Sequence, residues 1–81
     1  MNIETAIENF IINDIMLDDI STKLDPNDSL ISSGVLDSLA LLRLIAFIEE
    51  QFSVTVEDSE VIPENLETIN DIVAFVEQKM A

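Results

Sequence analysis

The sequence predicts an all-α fold: a small bundle of three main helices and one short helix, with a long first loop. Three observations lead there. Apolar residues recur at helical spacing in three separate stretches, one glycine and two prolines punctuate the gaps, and no two alternating runs exist from which a sheet could pair. Each element has its own local reason.

Asn2 can cap a first helix over about residues 3–16, in which Ile3, Ala6, Ile7, Phe10 and Ile11 form an apolar stripe and Glu4 favours the positive end. Residues 17–36 follow as a long connection. It carries the turn signal Asp25-Pro26-Asn27-Asp28 and then Ser32-Ser33-Gly34. Leu24, Leu30, Ile31, Val35 and Leu36 interrupt its polarity, so it is expected to lie pinned across the core as a strap. Loops this long in compact domains usually carry function.

The next helix begins at Ser38 or Leu39. Gly34 supplies the left-handed turn ahead of it, and Asp37 is a favoured N-cap. Leu41, Leu44, Ile45, Ile48 and Phe52 then line one face as far as about Phe52. Phe47 lies off that face, so the connector or the short helix is expected to cover it. Ser53-Val54-Thr55-Val56 alternates like a strand but lacks a partner run, which makes it an extended connector. A helical turn over about 58–62 ends before Pro63. Thr68 with Asp71 resembles a capping box for the last helix, whose stripe is Ile69, Ile72, Val73, Val76 and Met80.

The 81 residues, read as a single domain over 1–81, carry 17 acidic and 3 basic side chains, a formal charge of -14. That charge repels nucleic acid and anionic lipid and favours partners with basic patches. A hydrophobic share of 48% still argues for a folded core. No apolar run reaches membrane-spanning length, and the first residues lack the basic start and apolar core of a signal peptide. A cytoplasmic, monomeric protein is expected.

Histidine, cysteine and tyrosine are absent from the sequence, so a Ser-His-Asp or Cys-His site cannot be built, and no catalytic residue is assigned. A calcium loop starting at Asp25, Asn27 and Ser29 fails at Leu30, where the turn needs glycine, and at Leu36, where it needs glutamate. No metal site is expected. Ser38 remains. At roughly 100° per residue it projects about 60° to 100° from the buried stripe, which places its hydroxyl in water at the positive end of a helix. A phosphate ester there is electrostatically favoured.

The pattern Leu30-Ile31-x-x-Gly34-Val35-Leu36-Asp37-Ser38-Leu39, with the helix ending Glu49-Glu50-Gln51-Phe52 and the run Pro63-Glu64-Asn65-Leu66-x-Thr68-Ile69, resembles the acyl and peptidyl carrier proteins over nearly the whole chain. The resemblance implies an acyl-carrier-like bundle, a carrier and not an enzyme. It also implies that a phosphopantetheinyl transferase moves 4′-phosphopantetheine from coenzyme A onto Ser38. The arm would supply the thiol that the sequence lacks. Partners would then be an acyl- or aminoacyl-loading enzyme and a downstream synthase or transferase.

The resemblance makes Asp37 and Leu39 recognition residues beside the serine. On helical angles Ser38, Leu39, Leu42, Ala46 and Glu49 share an outward face, with Leu39, Leu42 and Ala46 as a small apolar patch. Many fatty-acid carriers follow Asp-Ser-Leu with acidic residues, whereas here those positions include Ala40 and Arg43. Together with Leu39-Ala40-Leu41-Leu42-Arg43-Leu44, this departure looks closer to peptidyl carriers, although Asp37 is more typical of acyl carriers. The favoured reading is a discrete carrier of a polyketide or nonribosomal peptide pathway. A housekeeping fatty-acid carrier is the alternative, and an unmodified acidic interaction module, with Ser38 only a cap or a phosphorylation site, is the rival.

Overall fold

The structure, a computed structural model, describes residues 2–17 and 24–81. The part of the expected first loop at 18–23 lies outside the described residues. Among the described residues the fold consists of four α-helices and two short helical variants, with no strand.

Helix α1 spans Ile3–Phe10, with the Asn2 side-chain oxygen accepting from the Thr5 N–H at 3.0 Å. That bond satisfies one of the free amides of the first turn. Instead of continuing regularly, the helix widens into a π-helical stretch, Ile11–Ile15, closed by the Met16 N–H donating to the Ile11 carbonyl at 2.8 Å. The extent expected from the sequence is nearly right, but its last turns are wide. The widening rotates the later side chains, so that Ile11 and Ile12 are both buried while Ile15 and Met16 pack against the core.

Helix α2, Ser38–Phe52, buries Ala40, Leu44 and Ile48. Leu41, Ile45 and Phe52 flank them, half-buried. The stripe therefore centres one residue from where the sequence suggests, and Ala40 belongs to the core. Phe47 also finds a different cover. Its ring stacks on Phe10 of α1, with centroids 4.3 Å apart and planes at 17°, and meets Phe52 edge-on at 6.2 Å. Helix α1, not the connector, supplies that contact.

Ser53 closes α2 in a left-handed conformation, φ 56°. The extended connector follows as expected, and the Val56 N–H donates to Glu49 Oε2 at 2.9 Å. A 3₁₀ turn, Asp58–Glu60, carries a reciprocal capping box between Glu57 and Glu60. Pro63 then opens a separate helix, α3, Pro63–Leu66, with the ring at a first-turn position where a missing N–H costs nothing. The sequence reading gives Pro63 only as a terminator, so this turn of helix is additional.

Helix α4, Ile69–Met80, is capped by the Thr68 hydroxyl, which accepts from the Asp71 N–H at 3.0 Å. It buries Ile69, Ile72, Phe75 and Val76. Met80, expected in the stripe, is half-exposed at 51% because the last turn runs past the core. Helix α4 is the centre of the bundle, with α1, α2 and α3 all packed against it.

The strap is pinned to the α3–α4 junction. The Leu30 N–H donates to the Glu67 carbonyl at 2.7 Å, and the Ser29 hydroxyl donates to Glu67 Oε2 at 2.8 Å. Further along, the Asn70 N–H reaches the Pro26 carbonyl at 3.1 Å, and its side-chain amide donates to Asn27 Oδ1 at 2.7 Å. Leu30 and Leu36, each 2% exposed, anchor the strap in the core. This docking fixes where the chain enters α2.

Candidate functional site

The site is built where the strap turns into α2. Leu36 returns over Leu30 through an N–H to carbonyl bond of 2.9 Å, and the Gly34 N–H closes a turn onto the Ile31 carbonyl at 3.1 Å. Gly34 has φ +86°, a left-handed value that a Cβ would strain even though nothing lies within 4 Å of where one would sit. Asp37 follows in extended geometry. Its Oδ1 accepts from the Ala40 N–H at 2.8 Å, and its carbonyl accepts from the Leu41 N–H at 2.9 Å.

Ser38 is the first residue of α2 and is exposed. No described residue hydrogen-bonds its hydroxyl, so that oxygen stands free in solvent. The α2 N-terminus offers its remaining amides and the positive end of a 15-residue dipole. A phosphoester fits this position in both access and charge.

Leu39 at 69% exposure and Leu42 at 65% form an apolar patch with exposed Ala46, as expected. Glu49 departs from that outward face. It is half-buried, and its carboxylate is occupied by the Val56 N–H. Ala40 is turned away too, at 8% exposure, whereas Arg43 is exposed. Arg43 has no ion pair among the described residues, where Lys79 with Glu60 makes the one salt bridge.

Sequence reasoning misses a cleft of about 460 Å³ beside the serine. It is lined by Ile15, Met16, Gly34, Val35, Asp37, Leu39, Ala40 and Arg43. Its far wall depends on the π-helical end of α1, which no short motif announces. The burial of Ala40 was within reach, since Ala40, Leu44 and Ile48 are spaced four apart.

The calcium-like residues serve the strap. Asp25 Oδ1 accepts from the Asn27 N–H at 2.8 Å, Asn27 is paired with Asn70, and Ser29 with Glu67. Among the described residues no cluster of acidic side chains is arranged to hold a metal, and no helix is long and apolar enough to cross a membrane.

Residues 11–76 match the family model described as the phosphopantetheine attachment site. The chain belongs to the acyl carrier protein family. It is 35% identical to the D-alanyl carrier protein of Streptococcus suis (strain 98HAH33) over 80 residues, covering 99% of this chain and 98% of that one. It is 30% identical over 79 residues to the acyl carrier protein of Desulforapulum autotrophicum, covering 98% and 99%. The fold is similar to a chain in the crystal structure of an FAD-dependent dehydrogenase, with a TM-score of 0.78 and 34% identity over 86% of this chain and 97% of that one. The prosthetic group of this carrier family is 4′-phosphopantetheine. Supplied when bound, its thiol holds a carboxylic acid as a thioester.

Proposed function

We propose that Ser38 is the attachment residue, that residues 1–81 act as one cytoplasmic carrier domain, and that the cargo is an aminoacyl group of the D-alanyl kind. The observation that carries the first part is the unbonded, exposed hydroxyl of Ser38 at the mouth of α2, inside the matched span. Full-length similarity to the D-alanyl carrier of Streptococcus suis supports the third, the aminoacyl cargo. The D-alanyl carrier relatives name a pathway other than the polyketide or nonribosomal peptide assembly expected from the sequence. Housekeeping fatty-acid synthesis stays the alternative, supported by the acyl carrier relative.

Each residue has a part. Asp37 holds the α2 entry through the Ala40 N–H, which keeps the serine at a fixed place for a phosphopantetheinyl transferase. Leu39, Leu42 and Ala46 offer loading and accepting enzymes an apolar surface beside the arm, with Arg43 marking its edge. Glu49 contributes through the connector it holds. The chain itself needs no acid or base, because adenylating and transferring enzymes perform the bond changes.

Loading tests the cargo. The phosphopantetheinylated protein is incubated with ATP, an adenylating ligase specific for D-alanine, and D-alanine, L-alanine or hexanoate as separate substrates, and its mass is followed. A hydroxylamine-sensitive gain of one alanyl group with D-alanine is the expected result. A gain with hexanoate and an acyl-activating ligase, and none with D-alanine, would overturn the aminoacyl reading.

A second reading rests on the dehydrogenase crystal. The matched chain there is covered over 97% of its length by this small protein, so it is itself of carrier size. A flavin-dependent oxidation of the tethered cargo is the reaction that this similarity supports. Mass loss of two hydrogens from a loaded aminoacyl group in the presence of such an enzyme would identify it.

A further inference from the structure

The strap that delivers the chain to Ser38 is held by a carboxylate far from it in sequence. Oε2 of Glu67, at the junction of α3 and α4, accepts from the Ser29 hydroxyl at 2.8 Å and from the Ser32 hydroxyl at 3.4 Å. The Ser29 oxygen accepts in turn from the Ser32 N–H at 3.0 Å, while the Glu67 carbonyl takes the Leu30 N–H at 2.7 Å. Glu67 thus holds residues 29–32 with both backbone and side chain. Beyond that hold the chain closes on itself: the Gly34 N–H donates to the Ile31 carbonyl, the Ser33 hydroxyl to the Leu30 carbonyl at 3.3 Å, and the Leu36 N–H to the same Leu30 carbonyl. Asp37 and Ser38 come next.

We infer that the Glu67 carboxylate is a positioning residue for the attachment reaction, fixing the strap in the register from which a phosphopantetheinyl transferase takes Ser38. The inference rests on Ser38 as attachment residue. Burial of Leu30 and Leu36 keeps the strap on the core, but apolar burial is non-directional and leaves its register loose. Hydrogen bonds to one oxygen set that register. The second hold on α4, from Asn70 to Pro26 and Asn27, lies upstream of the closed turn. Glu67 also makes no ion pair among the described residues, where Lys79 with Glu60 is the one salt bridge, so its charge is met by the serine hydroxyls.

The kinetic consequence is specific. A transferase that binds only the held arrangement sees the carrier diluted by the fraction that has let go, which raises KM and leaves kcat alone. A contribution to global stability alone would move the melting temperature and not KM.

The test follows transfer from coenzyme A by a broad-specificity phosphopantetheinyl transferase, read by intact mass over a range of carrier concentrations. E67A keeps the backbone bond to Leu30 and should raise KM about tenfold, the factor carried by a hydrogen bond to a charged acceptor, with kcat unchanged. E67Q retains an acceptor oxygen at the same reach and should restore KM to within about twofold of wild type. S29A/S32A should match E67A, and adding E67A to it should raise KM no further, since the two act through one interaction. Glu60→Gln, which breaks the Lys79 pair away from the strap, should lower the melting temperature without changing KM.

A wild-type KM in E67A, shown to be helical by circular dichroism, would overturn the inference. Equal losses in E67A and E67Q, or additive losses in the triple variant, would overturn the route through the serine hydroxyls. If E67A does not fold, a wild-type KM in S29A/S32A overturns the inference and a raised one upholds it. A wild type that gains no mass, or a Ser38→Ala variant that does, would instead refute Ser38 as attachment residue, and the inference with it.

Discussion

Replacing Phe47 by alanine probes how α1 is fastened to α2. A fully buried phenylalanine loses about 3–5 kcal/mol on truncation to alanine, the sum of a transfer and a cavity contribution. Phe47 is only half-buried and borders two clefts open to solvent, so water fills the vacated space and little cavity cost remains. About half the transfer contribution, ~1 kcal/mol, survives. The stacked contact with Phe10 and the edge contact with Phe52 add about 0.5 kcal/mol each at the low end for aromatic pairs. The expected loss is about 2 kcal/mol.

Urea unfolding followed by circular dichroism reads it directly. With an m-value near 1 kcal/mol/M for a chain this small, the midpoint should fall by about 2 M. Phe75→Ala, at a site 5% exposed, should cost more, about 3–5 kcal/mol. A Phe47→Ala loss equal to that of Phe75→Ala would show a sealed ring, and a loss below about 0.5 kcal/mol would show that the stack contributes nothing. Either result refutes the packing described here.

Other substitutions test single local devices. Gly34→Ala meets no neighbouring atom but must hold φ +86°, so it should cost about 1–2 kcal/mol in the same titration. Ser53→Gly relieves the left-handed residue that ends α2 and should raise stability by up to about 1 kcal/mol. Asp37→Ala removes the α2 cap and should cost about 1 kcal/mol. The hydrogen bond from the Lys79 ammonium, followed by that from the Glu57 N–H, holds the Glu60 carboxyl below the usual glutamate range. Its stabilisation is therefore complete above about pH 4.3, the unfolded value, and is lost as pH falls through the lower native value. Glu60→Gln should lower the melting temperature at neutral pH, and the gap from wild type should close in acid.

The parts of the fold legible in the sequence are those set by neighbours in the chain. Gly34, Asp37 and Thr68 act through hydrogen bonds and φ values within a few residues, and helical periodicity marks most of the buried faces. Contacts between distant segments were not legible. Phe10 on Phe47, Ser29 on Glu67 and Asn27 on Asn70 join residues 37 to 43 positions apart, and no short pattern encodes such pairings. Pro63 can end one helix and open the next, and only the packing of Leu66 shows that it opens α3. The π-helical end of α1 was equally hidden, and with it the cleft beside Ser38. The serine itself was found because a cap, a turn and a helix start coincide there.

The most direct measurement is the intact mass of the protein before and after incubation with coenzyme A and a broad-specificity phosphopantetheinyl transferase, with Ser38→Ala in parallel. A gain of one phosphopantetheine on the wild type alone is the predicted result. A gain on Ser38→Ala as well, or none on a wild type shown to be helical by circular dichroism, would contradict the account.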